Sequence, residues 1–306
     1  MIKMNQKGGA IAMLDSKILT FLKVAQLKNY TKAAEELHLT QPAVSQHIKK
    51  LEEYYGCKLI RVSGKSVGLT EGGKNLYHYA NLQLANEYQL MGRLEGVARP
   101  LHIGATLSIA DYYLPTHLIP YIAEQKHAFR VTVNNTENLI SMLLNGNLDC
   151  AFIEGIFEKD LFQSRIFCET RFLPVARAGH PLAEKTATLP RFHEFPLALR
   201  EQGSGTRDIM ENYLYQQNDS IHSFPYLIEM NSFDMIKQFL IHSDAISFMY
   251  EEVAHKEVEQ GELCYLSLHK YLIKRPLYFI YPKNSLSKER YEEFYRSLAF
   301  EKREFR

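Results

Sequence analysis

Gln41, Ser45, Gln46, Lys49 and Lys50 crowd one short stretch, TKAAEELHLTQPAVSQHIKKLE (31–52). Amide, hydroxyl and ammonium groups brought together in this way can hydrogen-bond base edges and neutralise phosphate. A second chemical group is split between two loops. In GATLSIADYYLP (104–115), Thr106 and Ser108 follow an apolar run; in LREQGSGTRDIM (199–210), Gly203 and Gly205 flank Ser204 and precede Thr206. Glycines there permit tight turns and close backbone approach. With helix-start amides, hydroxyls and the cations Arg200 and Arg207, they would form an anion cradle, the helix being capped by Ser204 or Thr206. A lone Gly-Ser-Gly-Thr also caps many helices that hold no ligand.

Other chemistry is poorly supported. Cys57, Cys150, Cys168 and Cys264 are widely spaced, without a C-x-x-C or a His at metal-ligand distance, so free thiols and no metal are expected. GLTEGGK (68–74) imitates the start of a phosphate-binding P-loop. It is followed by Asn75, which has no hydroxyl for a magnesium ion, and preceded by a hairpin arm. Glu154, Arg200 and scattered histidines form no nucleophile–base pair or cofactor fingerprint, so neither enzyme nor cofactor is expected.

The elements that must position the first group follow from periodicity. Leu14, Ile18, Phe21, Leu22 and Ala25 make an amphipathic helix, broken at Asn29-Tyr30-Thr31. Thr31 is the expected N-cap of a short second helix, where Ala33 and Ala34 allow close packing. Thr40 caps a third, with Pro42 in its first turn, where a missing N–H costs nothing. Val44, Ile48 and Leu51 form its buried stripe, so Pro42, Gln46 and Lys49 face outward, flanked by Ser45 and Lys50. This is the layout of a helix-turn-helix, though the surface helix of any small bundle would also be polar outside. KLIRVSGKSVGLTEGG (58–73) then reads as two short strands around Ser63-Gly64-Lys65, a wing offering Arg61 and Lys65 to phosphate or the minor groove.

Charge agrees with this division. The whole chain of 306 residues is nearly neutral at +1, yet residues 1–73 hold 11 Lys/Arg against 6 Asp/Glu and the remainder 25 against 29. At 46% apolar composition the chain suits two ordinary domains; no apolar run is long enough to span a bilayer, and no signal-type stretch opens it. Over 74–96, Tyr77, Ala80, Leu84, Met91 and Leu94 follow 3/4 spacing, interrupted by Glu87: an imperfect heptad seam, or packing on its own domain. Arg99-Pro100 marks a boundary. Beyond it, strands LHIGA, RVTV, LDCAFIEG, FLPVAR, PLALR, AISFMY and PLYFIYPK alternate with helices at 111–124, 137–145, 206–217 and 232–242, an α/β pattern.

The stretch from Phe21 to Gly73 resembles the winged helix-turn-helix of the LysR-type transcriptional regulators. It carries their T-x-A-A-x-x-L-x-[LV]-[ST]-Q-P-A-[LV]-S core, with Tyr30 and Ile60 where Phe is commoner. IGATLSIADYYLP, LDCAFIEG, HPLA (180–183) and REQGSGTR extend the likeness to about residue 300, most like the regulators of sulfur or carbon assimilation. The resemblance implies an α/β protein: a flexible extension (1–12), a winged helix-turn-helix (13–73) and a linker helix for dimerisation (74–98). A two-lobed effector domain like the periplasmic binding proteins follows (99–306), with lobes 100–168 plus 284–306 and 169–283.

By position, Thr31, Thr40, Gln41, Pro42, Ser45, Gln46, Lys49, Lys50, Arg61 and Lys65 become the expected DNA contacts. Thr106, Ser108, Asn135, Thr136, Glu154, Arg200, Ser204, Gly205 and Thr206 become the expected effector contacts. The implied protein is a cytoplasmic homodimer or homotetramer on double-stranded promoter DNA, modulated by a small anionic effector and able to contact RNA polymerase, with no membrane partner. A solute-binding receptor, which shares the C-terminal fold, is the alternative.

Overall fold

A computed structural model describes residues 14–63, 66–96, 99–125 and 128–298. Its contacts divide the chain into two units. One comprises residues up to Arg99 with 142–147 and 284–288; the other comprises 100–141, 148–283 and the chain from 289.

The first unit opens with three helices, α1 (Ser16–Leu27), α2 (Tyr30–Leu37) and α3 (Gln41–Tyr55). Lys28, His38 and Gly56 end them in the left-handed conformation. The cap of α2 differs from the sequence expectation. Asn29 is the extended residue whose Oδ1 accepts from the Lys32 amide at 3.0 Å, and Thr31 lies exposed inside the first turn. Asparagine is as good a cap as threonine, and it stands where the backbone is still extended. Thr40 caps α3 as expected, accepting from the Ala43 amide at 3.3 Å, with Pro42 in the first turn.

β1 (Ile60–Ser63) and β2 (Ser66–Leu69) pair antiparallel as the wing, Ile60 opposite Leu69, and α4 (Glu71–Leu94) follows. Val44, Ile48 and Leu51 are buried with Phe21, Val24, Ala33, Ala34 and Leu59 in one core. That core also takes Leu76 and Ala80, with Tyr77 and Leu84 packed beside them. The expected heptad seam is therefore divided: its first half serves this unit's own core. The large apolar side chains that α4 leaves exposed are Tyr79, Leu90 and Leu94.

The second unit runs β3 (Leu101–Ala105), α5 (Leu107–Tyr112), α6 (Pro115–Gln125), β4 (Phe129–Val133), α7 (Thr136–Leu144), β5 (Cys150–Ile153), β6 (Phe162–Arg177), α8 (Leu189–Phe192), β7 (Leu197–Arg200), α9 (Gly205–Gln216), β8 (Leu227–Met230), α10 (Phe233–Ile241), β9 (Ser247–Tyr250), α11 (Glu251–Glu259), β10 (Leu263–Tyr265), β11 (Ile273–Pro282) and α12 (Lys288–Ser297). Seven strands join as β10-β6-β11-β5-β3-β4, with β9 also on β6; β7 and β8 form a separate parallel pair. β3 is parallel to both β4 and β5, as βα connections require, and β6 and β11 run antiparallel along their length.

Two spans depart from expectation. Helix 111–124 is two helices, because Pro115 starts α6 after a break at Tyr113-Leu114. FLPVAR is only the end of β6, whose first ten residues include the partly or fully exposed Gln163, Ser164 and Arg165 and so lack a continuous apolar run. β8, β10, α11 and α12 are elements that periodicity did not single out. Phe152 packs on Phe167 and Phe279 at 4.9 and 5.1 Å between ring centroids, anchoring the end of β5 from which Glu154 emerges.

Candidate functional site

The outward surface of α3 is built from its buried one. With Val44, Ile48 and Leu51 fixed inward, Gln41, Pro42, Gln46, Lys49 and Lys50 are exposed and Ser45 is half-buried. Gln41 donates to Ser45 Oγ at 3.1 Å, so these two side chains form one polar unit at the start of the helix. Lys49 lies 3.8 Å from Glu53, an exposed pair that phosphate can outcompete. Thr31 and Thr40 are exposed at the entrances of α2 and α3, and Arg61 is exposed on β1. The Arg61 side chain lies across Gly68, where an added methyl would come within 3.2 Å of its Nε. Lys65, at the expected wing tip, lies outside the described residues.

Two supports of this surface were not singled out in sequence. Glu52 accepts from the Leu59 and Ile60 amides at 3.0 and 3.3 Å and from Lys58 Nζ at 2.6 Å, fastening the wing to α3. Burial pushes the Glu52 carboxyl up, but these donors outweigh it and hold the carboxyl below its ordinary range. Gly73 lets α4 begin directly against the Leu59 carbonyl, a contact no side chain would permit. Its only sequence signal was the Gly72-Gly73 pair, read above as part of a false P-loop.

In the second unit both loops reach Glu154. Ser108 Oγ donates to Glu154 Oε1 at 2.9 Å, and Thr136 Oγ1 donates to the Glu154 carbonyl at 2.9 Å. Opposite them, a methyl on Gly205 would lie 2.7 Å from Glu154 Cγ and 2.8 Å from both the Glu154 carbonyl and Thr136 Oγ1. A methyl on Gly155, at φ +88°, would lie 3.0 Å from Gly205 Cα, so two glycines let the facing walls touch through backbone. Asn135 uses its Oδ1 to accept from the Asn138 amide at 2.9 Å, and its Nδ2 lies beside Gly203. Ser204 stands at the cap position of α9 but does not bond its amides; its Oγ pairs with Thr206 Oγ1 at 2.9 Å.

The charges are placed differently from a simple cationic cradle. The Arg200 guanidinium donates to both Glu201 oxygens, at 2.8 and 3.0 Å, and lies 4.6 Å over the Phe233 ring. Arg207 is engaged by Glu211 and Glu229. Both cations are thus matched by carboxylates. Glu154 is 1% exposed, and burial raises its carboxyl to about 7, against the opposing pull of the Ser108 hydrogen bond and Arg200. Glu154 Oε2 and Thr106 Oγ1 are buried without hydrogen-bond partners. Buried polar atoms left unpaired carry a desolvation cost that a ligand can remove.

Comparison with known proteins agrees with this anatomy. Residues 16–74 match the bacterial regulatory helix-turn-helix protein, lysR family, and residues 94–301 match the LysR substrate binding domain. The RuBisCO operon transcriptional regulator of Allochromatium vinosum is 30% identical over 273 residues, covering 87% of this chain and 88% of its own. The transcriptional regulator CysL of Bacillus subtilis is 28% identical, covering 88% and 92%. Among solved structures, full-length LysG of Corynebacterium glutamicum with bound effector Arg superposes with a TM-score of 0.66 over 92% of this chain and 96% of that one, at 17% identity. The regulatory domain of Synechocystis CcmR in complex with 2-PG gives 0.59 over 65% and 95%, at 22% identity. Those two likenesses establish the fold.

Together the fold and site define a transcription regulator with an N-terminal helix-turn-helix and a C-terminal two-lobed effector-binding domain. The chain belongs to the LysR family. Regulators of this family bind DNA and small-molecule effectors and oligomerise, and nothing in the comparisons favours the receptor alternative. Among the described residues no helix is long and apolar enough to cross a membrane.

Proposed function

We propose that the exposed face of α3 reads promoter DNA through Gln46 and the Gln41–Ser45 pair. Lys49, Lys50, Arg61, Lys65, Thr31 and Thr40 hold the flanking phosphates, and Pro42 sets the start of the reading helix. The observation that carries this reading is the separation of faces on α3: Val44, Ile48 and Leu51 are buried while the polar set is exposed. Two copies join through α4, whose exposed Tyr79, Leu90 and Leu94 supply an apolar surface, and further assembly gives a tetramer. Two-fold symmetry would then space half-sites by about 34–36 Å or a multiple. The protein works in the cytoplasm by binding rather than catalysis, and contacts RNA polymerase from its promoter site.

The effector, a small anion, occupies the cleft lined by Thr106, Ser108, Asn135, Thr136, Glu154, Ser204, Gly205 and Thr206, with Arg200 at its edge. The two unpartnered buried atoms there support this reading. So does 2-PG in the CcmR regulatory domain, a domain of like fold. The test is titration of DNA from upstream of the gene with wild type, Gln46→Ala and Lys49→Ala. Gln46→Ala should lose about 1–3 kcal/mol and relax sequence preference. Lys49→Ala should weaken all sequences alike. Wild-type binding by both variants would place the reading surface elsewhere.

A further inference from the structure

We propose, resting on the cleft as the effector site, that Glu154 selects the effector: it takes a tetrahedral oxyanion that retains a proton, a hydrogen phosphate group, and rejects sulfate. The cleft has donors to spare in Thr106, in one hydroxyl of the Ser204–Thr206 pair and in the amides that open α9, while Ser108 and Thr136 already donate to Glu154. Both neighbouring guanidiniums already face carboxylates. The remaining buried group is the Glu154 carboxyl, with Oε1 bound by Ser108 and Oε2 unpartnered. A carboxylate oxygen needs a donor. Sulfate brings acceptor oxygens alone and would set one anion against another in a poorly screened site. Hydrogen phosphate has the same shape and can have the same charge, but its P–OH donates to Oε2 while its other oxygens accept from Thr106, the Ser204–Thr206 pair and the α9 amides.

The groups around Glu154 define its proton balance. Ser108 faces it from the first turn of α5, Thr136 from the start of α7 and Gly205 from α9. Arg200 favours its charged form and Glu201 opposes it, while the hydroxyls of Tyr113 and Tyr250 feel its charge. Burial raises the carboxyl to about 7. Below that pH Glu154 can itself supply the shared proton, and sulfate becomes acceptable. Above it the ligand must bring the proton, so sulfate affinity should fall about tenfold per pH unit while phosphate is held. A phosphate monoester, whose second pKa is about 6, would take up this proton on binding.

The experiment is calorimetric titration of the full chain with inorganic phosphate, glycerol phosphate and sulfate at about pH 6 and pH 8. Wild type, Glu154→Gln and Thr106→Val are compared. At pH 8 the wild type should prefer one of the phosphates over sulfate by about tenfold, since sulfate then binds only the fraction of chains in which Glu154 still carries its proton. Tighter binding of inorganic phosphate or of glycerol phosphate identifies the free or the esterified source. Glu154→Gln, whose amide can donate, should bind sulfate and lose the preference. Thr106→Val should weaken binding, which places the ligand in the cleft. Equal wild-type affinity for sulfate and phosphate at pH 8, or a preference unchanged in Glu154→Gln, overturns the role of Glu154. Undiminished binding by Thr106→Val puts the anion elsewhere and also overturns it. If none of the three anions binds the wild type, the oxyanion reading of the cleft falls with it.

Discussion

Replacing Gly205 with alanine tests whether the cleft walls meet as the structure has them. The Gly205 backbone is not left-handed, so alanine brings no conformational penalty there. Its methyl would stand 2.7 Å from Glu154 Cγ and 2.8 Å from the Glu154 carbonyl and Thr136 Oγ1. The first neighbour could rotate away. The carbonyl is backbone, and the hydroxyl is tied to it by a 2.9 Å hydrogen bond, so the start of α9 must retreat from β5. Overpacking of this kind costs about 1–3 kcal/mol. If the walls stay together, a cost of about 2 kcal/mol should lower Tm by roughly 4–8 °C in a domain of this size. If they part, the same cost shifts closure about thirtyfold. That shift appears as faster hydrogen exchange at the Glu137 amide, which donates across the cleft to the Gly203 carbonyl at 3.4 Å. Thermal scans and hydrogen exchange together cover both routes. Wild-type Tm and wild-type Glu137 protection in Gly205→Ala would refute the reasoning.

Other perturbations separate the remaining supports. Glu52→Gln should cost about 1–3 kcal/mol at neutral pH, through weakened bonds from Lys58 and two amides. Because the folded carboxyl is held low, its stabilisation is present above the unfolded value and disappears as pH falls through the folded one. Wild type and Glu52→Gln should thus converge in acid melts. Gly73→Ala drives a methyl into the Leu59 carbonyl and should destabilise the first unit by about 3 kcal/mol or more, read by chemical denaturation. Leu90→Glu with Leu94→Glu should reduce self-association in sedimentation while leaving the helical signal intact, since both side chains are exposed on α4. Arg61→Ala should flatten the slope of log affinity against log salt by about 1, with no change in base preference.

The DNA-binding unit was largely legible because its signals are local. Thr40 and Pro42 mark a helix start, and Val44, Ile48 and Leu51 fix which face points outward. The cap of α2 was misplaced by two residues because Asn29 and Thr31 are both good caps, and only the extended backbone at Asn29 decides between them. The α4 stripe stayed open between a seam and a domain core for a different reason. Ala80 satisfies a heptad and a domain core equally, and tertiary packing assigned it to the core. In the second unit, short buried strands stood out, whereas the exposed half of β6 did not. Motif position brought Thr106, Ser108 and Glu154 to one site, but side-chain pairing was beyond it. Arg200 follows an apolar strand like a free cation, yet its neighbour Glu201 neutralises it, and Gly155 matters only through its approach to Gly205.

The most direct test of the central claim is a protection footprint of the full chain on DNA from upstream of its gene, taken across a salt series. A regulator of this design should protect paired half-sites spaced by one helical turn or a multiple, about 34–36 Å per turn. Its log affinity should fall against log salt with a slope near −5 if about six phosphates are neutralised. Protection should be lost in Gln46→Ala combined with Lys49→Ala. Absence of protection on any such fragment at low salt, or a footprint indifferent to both substitutions, would contradict the account.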